Sequence, residues 1–229
     1  ACLQVQASVD DAAIVGRHLC GEPLGTSGPE QQLSAWRAQA PSLSGARPGF
    51  LATVKRSQED LGVLRIFEPD HPDRVAVAAG APWFMSLFGR DSLLSAWMAL
   101  PIDRGLAVGT LQTLASYQGR TDNPMTEEQP GRIMHERRSG LATELALGGG
   151  ELYYGTADAT PLFVMLVEQA WRWGASAEEI GALMPHVDRA LEWILTDGDR
   201  DGDGFVEYRR ATDRGLANQG WKDSWDGVN

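Results

Sequence analysis

Apolar residues recur at spacings of three and four from about Pro48 onward, the period of an α-helix that packs one face on a core. The first such pattern consists of Leu51, Val54, Leu61, Leu64 and Ile66. Further helices are predicted over residues 92–100, 103–118, 160–173, 177–184 and 185–196. Because these helices follow one another in pairs, the sequence predicts a mainly α fold built from helical hairpins.

Three helix starts can be read from single residues. Ser176 and Glu179 have the spacing of a capping box, in which each side chain bonds to the main chain of the other. Pro101 and Pro185 suit the first turn of a helix, where a missing amide proton costs nothing. We therefore expect one helix to end and another to begin near Pro185.

The first fifty residues have a different character. Residues 1–9 alternate apolar and polar side chains, as a half-buried strand does, and residues 21–49 are rich in Gly, Pro and Ser around a short helix that carries Trp36. The sequence thus predicts a remnant of a β domain over residues 1–20, a linker over 21–49 and the helical region over 50–229.

Charge and cysteine content exclude several classes of protein. Twenty basic against 31 acidic residues give a net charge of −11, which argues against binding to nucleic acid backbones. The longest nearly apolar run, residues 75–85, is interrupted by Gly80 and Pro82 and is too short to span a membrane. With only Cys2 and Cys20 and no signal-peptide pattern at the start, a cytoplasmic location is expected.

Two segments, 66–91 and 119–159, are too long to be simple connections, and their aromatic content argues against disorder. In the first, the flat faces of Trp83 and Phe88 precede Arg90 and Asp91, whose donors and acceptors suit sugar hydroxyls. Alternatively, Asp91 or its neighbour Ser92 caps the following helix.

The second segment carries Glu136, and Asp158 lies near its end. Each carboxylate either pairs with a neighbouring arginine or binds polar groups of a substrate. The His135-Glu136 pair is not a zinc-binding helix motif, because no second histidine stands four residues away.

An acidic loop after the last predicted helix resembles a calcium-binding loop. The candidate ligands are Asp199, Asp201, Asp203 and Glu207. Gly204 stands at the sixth position as the template requires, but Arg210 occupies the twelfth, where a bidentate glutamate is expected. Residues 204–208 read as a strand instead of the exit helix. These departures favour an Asp/Gly-rich turn over a calcium site.

Near the end of the chain, Asp223 lies between Trp221 and Trp225, and Asp226 follows. If this segment is helical, the two carboxylates share a face. Indole rings remove water from a carboxyl group and raise its pKa, which suits a general acid. The alternative is a tryptophan-rich core turn whose acids cap or pair.

Taken together, five ordered segments resemble the bacterial amylo-α-1,6-glucosidases of the glycogen debranching enzyme group, over about residues 50–229. They are GAPWFMSLFGRDSL, PGRIMHERR, YYGTADATPLF, DRDGDGFVEY and NQGWKDSWD. The resemblance implies a six-hairpin (α/α)6 barrel preceded by a β-sandwich. It also implies a glycoside hydrolase that cleaves α-glucosidic bonds of glycogen or oligosaccharides with inversion, without a cofactor.

Carried over to this chain, the resemblance makes Asp223 the general acid and assigns the hydroxyls of the terminal sugar to Arg90 and Asp91. Trp83 and Phe88 would form the pocket wall. The remaining substrate-binding candidates are Glu136, Tyr154, Asp158, Gln219, Trp221 and Lys222.

The resemblance also implies that the chain holds about half of the barrel, with strand 1–9 as the last strand of the sandwich. The general base would be a glutamate well beyond Asp223, outside this chain, so the chain alone is expected to be inactive. Its partners would be a carbohydrate and the remainder of its barrel or an oligomeric partner. Two alternatives stay open: a hydrolase of small α-glucosides or of mannosylglycerate, and a non-catalytic module that binds carbohydrate or calcium.

Overall fold

The computed structural model describes residues 28–68, 70–138, 150–222 and 224, and within them the fold is mainly helical. The helices are α1 (Gly28–Gln39), α2 (Pro48–Val63), α3 (Gly89–Ala99), α4 (Arg104–Ser116), α5 (Ala159–Arg172) and α6 (Ala177–Leu195). The strands form two antiparallel pairs, β1 (Arg65–Glu68) with β2 (His71–Val77) and β3 (Glu136–Arg137) with β4 (Leu152–Tyr153). The predicted mainly α class is confirmed.

Two helical hairpins, α3 with α4 and α5 with α6, pack against each other around the main core. The apolar side chains enclosed there include Leu93, Leu111, Leu114, Phe163 and Leu166. A smaller cluster joins α1 to the rest through Trp36, whose indole nitrogen donates to the carbonyl of Gln58 in α2 at 2.8 Å. The short helix predicted around Trp36 is thus confirmed as α1.

The β1–β2 hairpin lies where the sequence predicts the end of a helix and the start of a loop. Phe67 pairs with Val75, and β2 lies directly on α4. This approach requires Gly109, because a Cβ there would lie 2.5 Å from the carbonyl oxygen of Val75. Helix α2 consequently ends at Val63, before the apolar pattern ends at Ile66.

The expected helix boundary at Pro185 is wrong, because α6 runs through it without a break. Its apolar face, including Leu183, Val187 and Ala190, is buried on the core and outweighs one lost main-chain hydrogen bond. The capping box at its start is confirmed: the Glu179 amide donates to Ser176 Oγ at 3.1 Å.

The strand predicted over residues 204–208 is wrong, because these residues form no strand. Gly202 and Gly204 adopt positive φ values of 77° and 90°, which turn the chain instead of extending it. The amide of Glu207 donates to the carbonyl of Gly198 at 2.7 Å and closes the loop. The predicted strand 1–9 lies outside the described residues. None of the helices described is both long and apolar enough to cross a membrane.

Candidate functional site

The start of α3 is clamped onto the segment that precedes β3. The amide of Gly89 donates to the carbonyl of His135 at 2.8 Å, and a Cβ at Gly89 would collide with the carbonyl oxygen of Met134. Phe88 occupies the N-cap position and its main chain pairs with Glu136. Glycine at this position therefore brings two motif segments into direct contact.

Arg90, in the first turn of α3, is 7% exposed and joins three distant parts of the chain. Its Nη1 donates to Oδ2 of Asp158 at 2.9 Å and to the carbonyl oxygen of Gly220 at 2.8 Å. The other carboxylate oxygen of Asp158 accepts from the hydroxyl of Thr156 at 2.8 Å. Arg90 therefore fixes the loop before α5 and the segment around Gly220 relative to α3.

Neither Asp91 nor Ser92 is the N-cap residue of α3, because Phe88 takes that position. The hydroxyl of Ser92 donates to the carbonyl of Val77 at 2.7 Å. Asp91 lies half-buried in the first turn, where the helix dipole favours a negative charge.

Pairing with a neighbouring arginine is confirmed for Glu136, whereas Asp158 pairs with a distant one. Oε2 of Glu136 lies 3.1 Å from Nε of Arg138, and Asp158 pairs with Arg90, which is 68 residues away and not a sequence neighbour. These ion pairs hold Glu136 next to Arg138 and the loop before α5 next to α3.

Gln219 is buried behind Arg90 in a second cluster of polar groups. Its Oε1 accepts from Nη2 of Arg132 at 3.0 Å, and its Nε2 donates to Oε2 of Glu127 at 2.5 Å. The carbonyl of Gln219 also accepts from the amide of Ala157 at 2.9 Å. Glu127 and Arg132 were not singled out from the sequence, because their partner lies about 90 residues further along the chain.

Burial changes the acidity of this cluster. It lowers the pKa of Arg132 to about 10, although the charge of Glu127 opposes the change. Burial also raises the pKa of Tyr153, and the charge of Glu127 adds to the effect. The tyrosine stays neutral at physiological pH, and its oxygen accepts from the amide of Leu216 at 2.8 Å.

The side chains of Tyr154 and Phe88 are buried and pack inside the protein. The hydroxyl of Tyr154 donates to the carbonyl of Tyr117 at 2.8 Å, and burial raises the pKa of Tyr154 to about 12. The ring of Phe88 packs edge-on against Phe84 and His135, with centroids 6.0 and 5.6 Å away. Tyr154 therefore supports the loop from within.

Other predicted binding residues lie at the surface. Trp83 is 85% exposed, Trp221 is 79% exposed, and Lys222 is exposed as well. Trp83 borders a crevice of about 250 Å³, here called the Trp83 crevice, whose wall consists of Pro82, Trp83, Phe84, Met85, Ser86, Phe88 and Arg138. Asp223, Trp225 and Asp226 lie outside the described residues.

The acidic loop forms the predicted turn. Carboxylate oxygens of Asp199, Asp201, Asp203 and Glu207 lie within 4.8 Å of one another. The two oxygens of Asp199 accept from the amides of Gly202 and Gly204 at 2.8 and 3.0 Å. Carboxylate oxygens are the ligands that a hard cation such as calcium takes, but calcium takes about six to eight and the same oxygens already close the loop on itself.

A scan against models of protein families finds no match to this chain, and a search of curated proteins finds no similar sequence.

Proposed function

We propose that this chain is the first half of the catalytic barrel of an inverting glycoside hydrolase of the amylo-α-1,6-glucosidase type. Its substrates are α-glucosidic bonds in glycogen or oligosaccharides, and it works in the cytoplasm without a cofactor. One observation carries the proposal. Four of the five motif segments contact one another through Gly89, Arg90 and Gln219. Sequence order alone does not require them to meet.

The surface aromatics suit a sugar. Trp83 and Trp221 offer indole faces to solvent, and such faces stack on the apolar C–H faces of pyranose rings. Asp91 is half-buried in the turn that carries Arg90 and provides an acceptor for hydroxyls. A rigid first turn is a good base for such contacts, because binding then orders few side chains.

The proposed chemistry needs two carboxyl groups. Asp223, between two tryptophans in the sequence, protonates the glycosidic oxygen. Inversion requires a second carboxylate about 6.5–9.5 Å away, with room for water on the opposite face of the sugar. Asp226 follows Asp223 too closely for this role, and we assign the base to a glutamate in a later part of the protein.

The hairpin packing supports the barrel architecture. α5 and α6 leave a largely apolar groove of about 460 Å³ on their outer side, and its wall includes Val164, Trp171, Ile180 and Met184. A further helical hairpin stacked on α5 and α6, as these stack on α3 and α4, would cover this groove. The same stacking continued to six hairpins closes an (α/α)6 barrel.

The test compares the complete enzyme with the 229-residue chain on isomaltose, branched dextrin and mannosylglycerate. We expect the complete enzyme to release β-glucose from isomaltose and branched dextrin, and the 229-residue chain alone to release no glucose. NMR of the anomeric proton measures the release. Turnover by the chain alone would contradict the assignment of the base. Preference for mannosylglycerate would favour the alternative substrate class, and no turnover by the complete enzyme would contradict a hydrolase.

Variants of the complete enzyme test the sugar contacts. Asp91→Asn should lower kcat/KM and leave the shape of the pH profile unchanged, because hydroxyl contacts tighten in the transition state without moving a proton. Asp213→Asn, at an exposed position of the loop after the acidic turn, is the matched control and should behave as wild type. Loss of one limb of the pH profile in Asp91→Asn would make Asp91 an acid or a base.

A further inference from the structure

A second crevice, here called the Arg74 crevice, lies between the β1–β2 hairpin and α4. It measures about 250 Å³, and its wall consists of Ile66, Phe67, Glu68, Arg74, Ala76, Met85, Ser86, Leu87, Thr113 and Arg137. Met85 and Ser86 also border the Trp83 crevice, so one stretch of chain separates the two. No residue of the proposed catalytic or sugar-binding set lies in its wall.

The charged groups in this wall are not equivalent. Arg137 is already balanced, since Nε lies 2.7 Å from Oε1 of Glu151 and Nη1 lies 3.4 Å from Oε2 of Glu68. The other oxygen of Glu68 accepts from the hydroxyl of Tyr117 at 3.0 Å. The carboxylate of Glu68 is thereby held by Arg137 and Tyr117.

Arg74 differs from Arg137 in this respect. Within the described parts of the chain, its half-buried side chain makes no hydrogen bond or ion pair. Since Glu151 and Glu68 already balance Arg137, Arg74 is the cation of this wall that no described carboxylate pairs, in a chain whose net charge is −11. A half-buried guanidinium without a carboxylate partner favours an anion, and it binds a carboxylate through two parallel hydrogen bonds.

Most of the remaining wall is apolar, from Ile66 and Phe67 on one side to Met85 and Leu87 on the other. An inorganic anion would leave these side chains facing water, whereas an organic acid would cover them. We propose that the Arg74 crevice binds small organic monocarboxylates, with the carboxylate on Arg74 and a compact apolar body between the β1–β2 hairpin and Leu87. This site does not depend on the proposed hydrolase function.

The experiment titrates the 229-residue chain with benzoate, benzamide and inorganic phosphate and follows the amide signals of Ser86 and Thr113 by NMR. Benzamide keeps the ring of benzoate and removes the charge, and phosphate keeps a charge and removes the ring. We expect saturable shifts with benzoate and at least about tenfold weaker binding of the other two, because a charge-assisted hydrogen bond is roughly twice as strong as a neutral one. Equal binding of benzoate and benzamide, or of benzoate and phosphate, would overturn the proposal.

A variant then assigns the contact. Arg74→Gln should weaken benzoate binding at least about tenfold, whereas Arg47→Gln, at an exposed position before α2, should leave it unchanged. Circular dichroism verifies that both variants are folded. Unchanged benzoate binding by a folded Arg74→Gln would overturn the proposal, and the wild-type comparison decides the matter if that variant does not fold.

Discussion

The side-chain amide of Gln219 lies 2.5 Å from a carboxylate oxygen of Glu127, and both side chains are buried. Since the amide oxygen of Gln219 accepts from Arg132, its orientation is determined on both sides. Glu127 itself adopts a φ of 57°, in the left-handed region that non-glycine residues seldom occupy. The pair attaches the segment before Trp221 to the loop after α4.

Glu127→Gln should destabilise the protein by about 3 kcal/mol, because it leaves the buried guanidinium of Arg132 without its nearby charge. Urea unfolding measures this, and trypsin should also cleave after Arg209 and Arg214 sooner than in wild type. Glu192→Gln, at an exposed position of α6, is the matched control and should change stability by less than about 0.5 kcal/mol. Equal stability of the two variants would show that buried Arg132 does not need the charge of Glu127.

Two glycine-to-alanine substitutions should act in opposite directions. Gly89→Ala places a methyl group against the carbonyl of Met134 and 2.9 Å from Cβ of Ala159, and should cost about 2 kcal/mol. Gly181→Ala, within α6, meets nothing within 4 Å and should stabilise by up to about 1 kcal/mol through helix propensity. Urea unfolding compares both with wild type. Stabilisation by Gly89→Ala would mean that α3 does not press on the segment before β3.

The acidic loop should bind calcium weakly, with a dissociation constant of about 0.1 mM or higher. The oxygens of Asp199 already accept amide protons of the loop, and Arg210 adds positive charge where the template has its strongest ligand. Isothermal titration calorimetry measures the constant, and Asp201→Asn should weaken it further. A micromolar constant would show that the loop is a calcium site after all.

If the proposed function is correct, Asp223→Asn in the complete enzyme should abolish cleavage of substrates with sugar leaving groups and spare glycosyl fluorides, which need little protonation to leave. Asp226→Asn is the control and should retain both activities. The measurement is the ratio of kcat/KM for isomaltose and α-glucosyl fluoride. If Asp223→Asn loses both substrates equally, or Asp226→Asn shows the selective loss, the general acid is another residue.

Local signals explain most of what the sequence predicted correctly. The capping box of Ser176 can be recognised from two residues three positions apart, and a helix can be recognised from the apolar residues on one of its faces. The helix boundary predicted at Pro185 is wrong because the burial of Leu183 and Val187 stabilises the helix by more than the proline destabilises it. The β1–β2 hairpin escaped notice because it depends on Gly109, a residue of another element.

The site itself was found only in part, for the same reason. Arg90 and Gln219 belong to recognisable motifs, whereas Glu127 has no local feature that marks it as a buried partner of Gln219. Similarly, Asp158 sits within a motif, but its pairing with Arg90 joins positions 68 residues apart. Contacts at such separations follow from the packing of the hairpins and not from any short pattern.

The bond from Arg90 to the carbonyl of Gly220 spans 130 residues, and this separation has a consequence for the order of folding. The α3–α4 and α5–α6 hairpins each close over short connections and lose little chain entropy in doing so. Closing the long loop that ends at Gly220 costs chain entropy. Stabilising contacts offset this cost only once those hairpins have placed Arg90 and Asp158. During synthesis, Arg90 leaves the ribosome long before Gly220 exists, so the helical layers form first and the site is completed last.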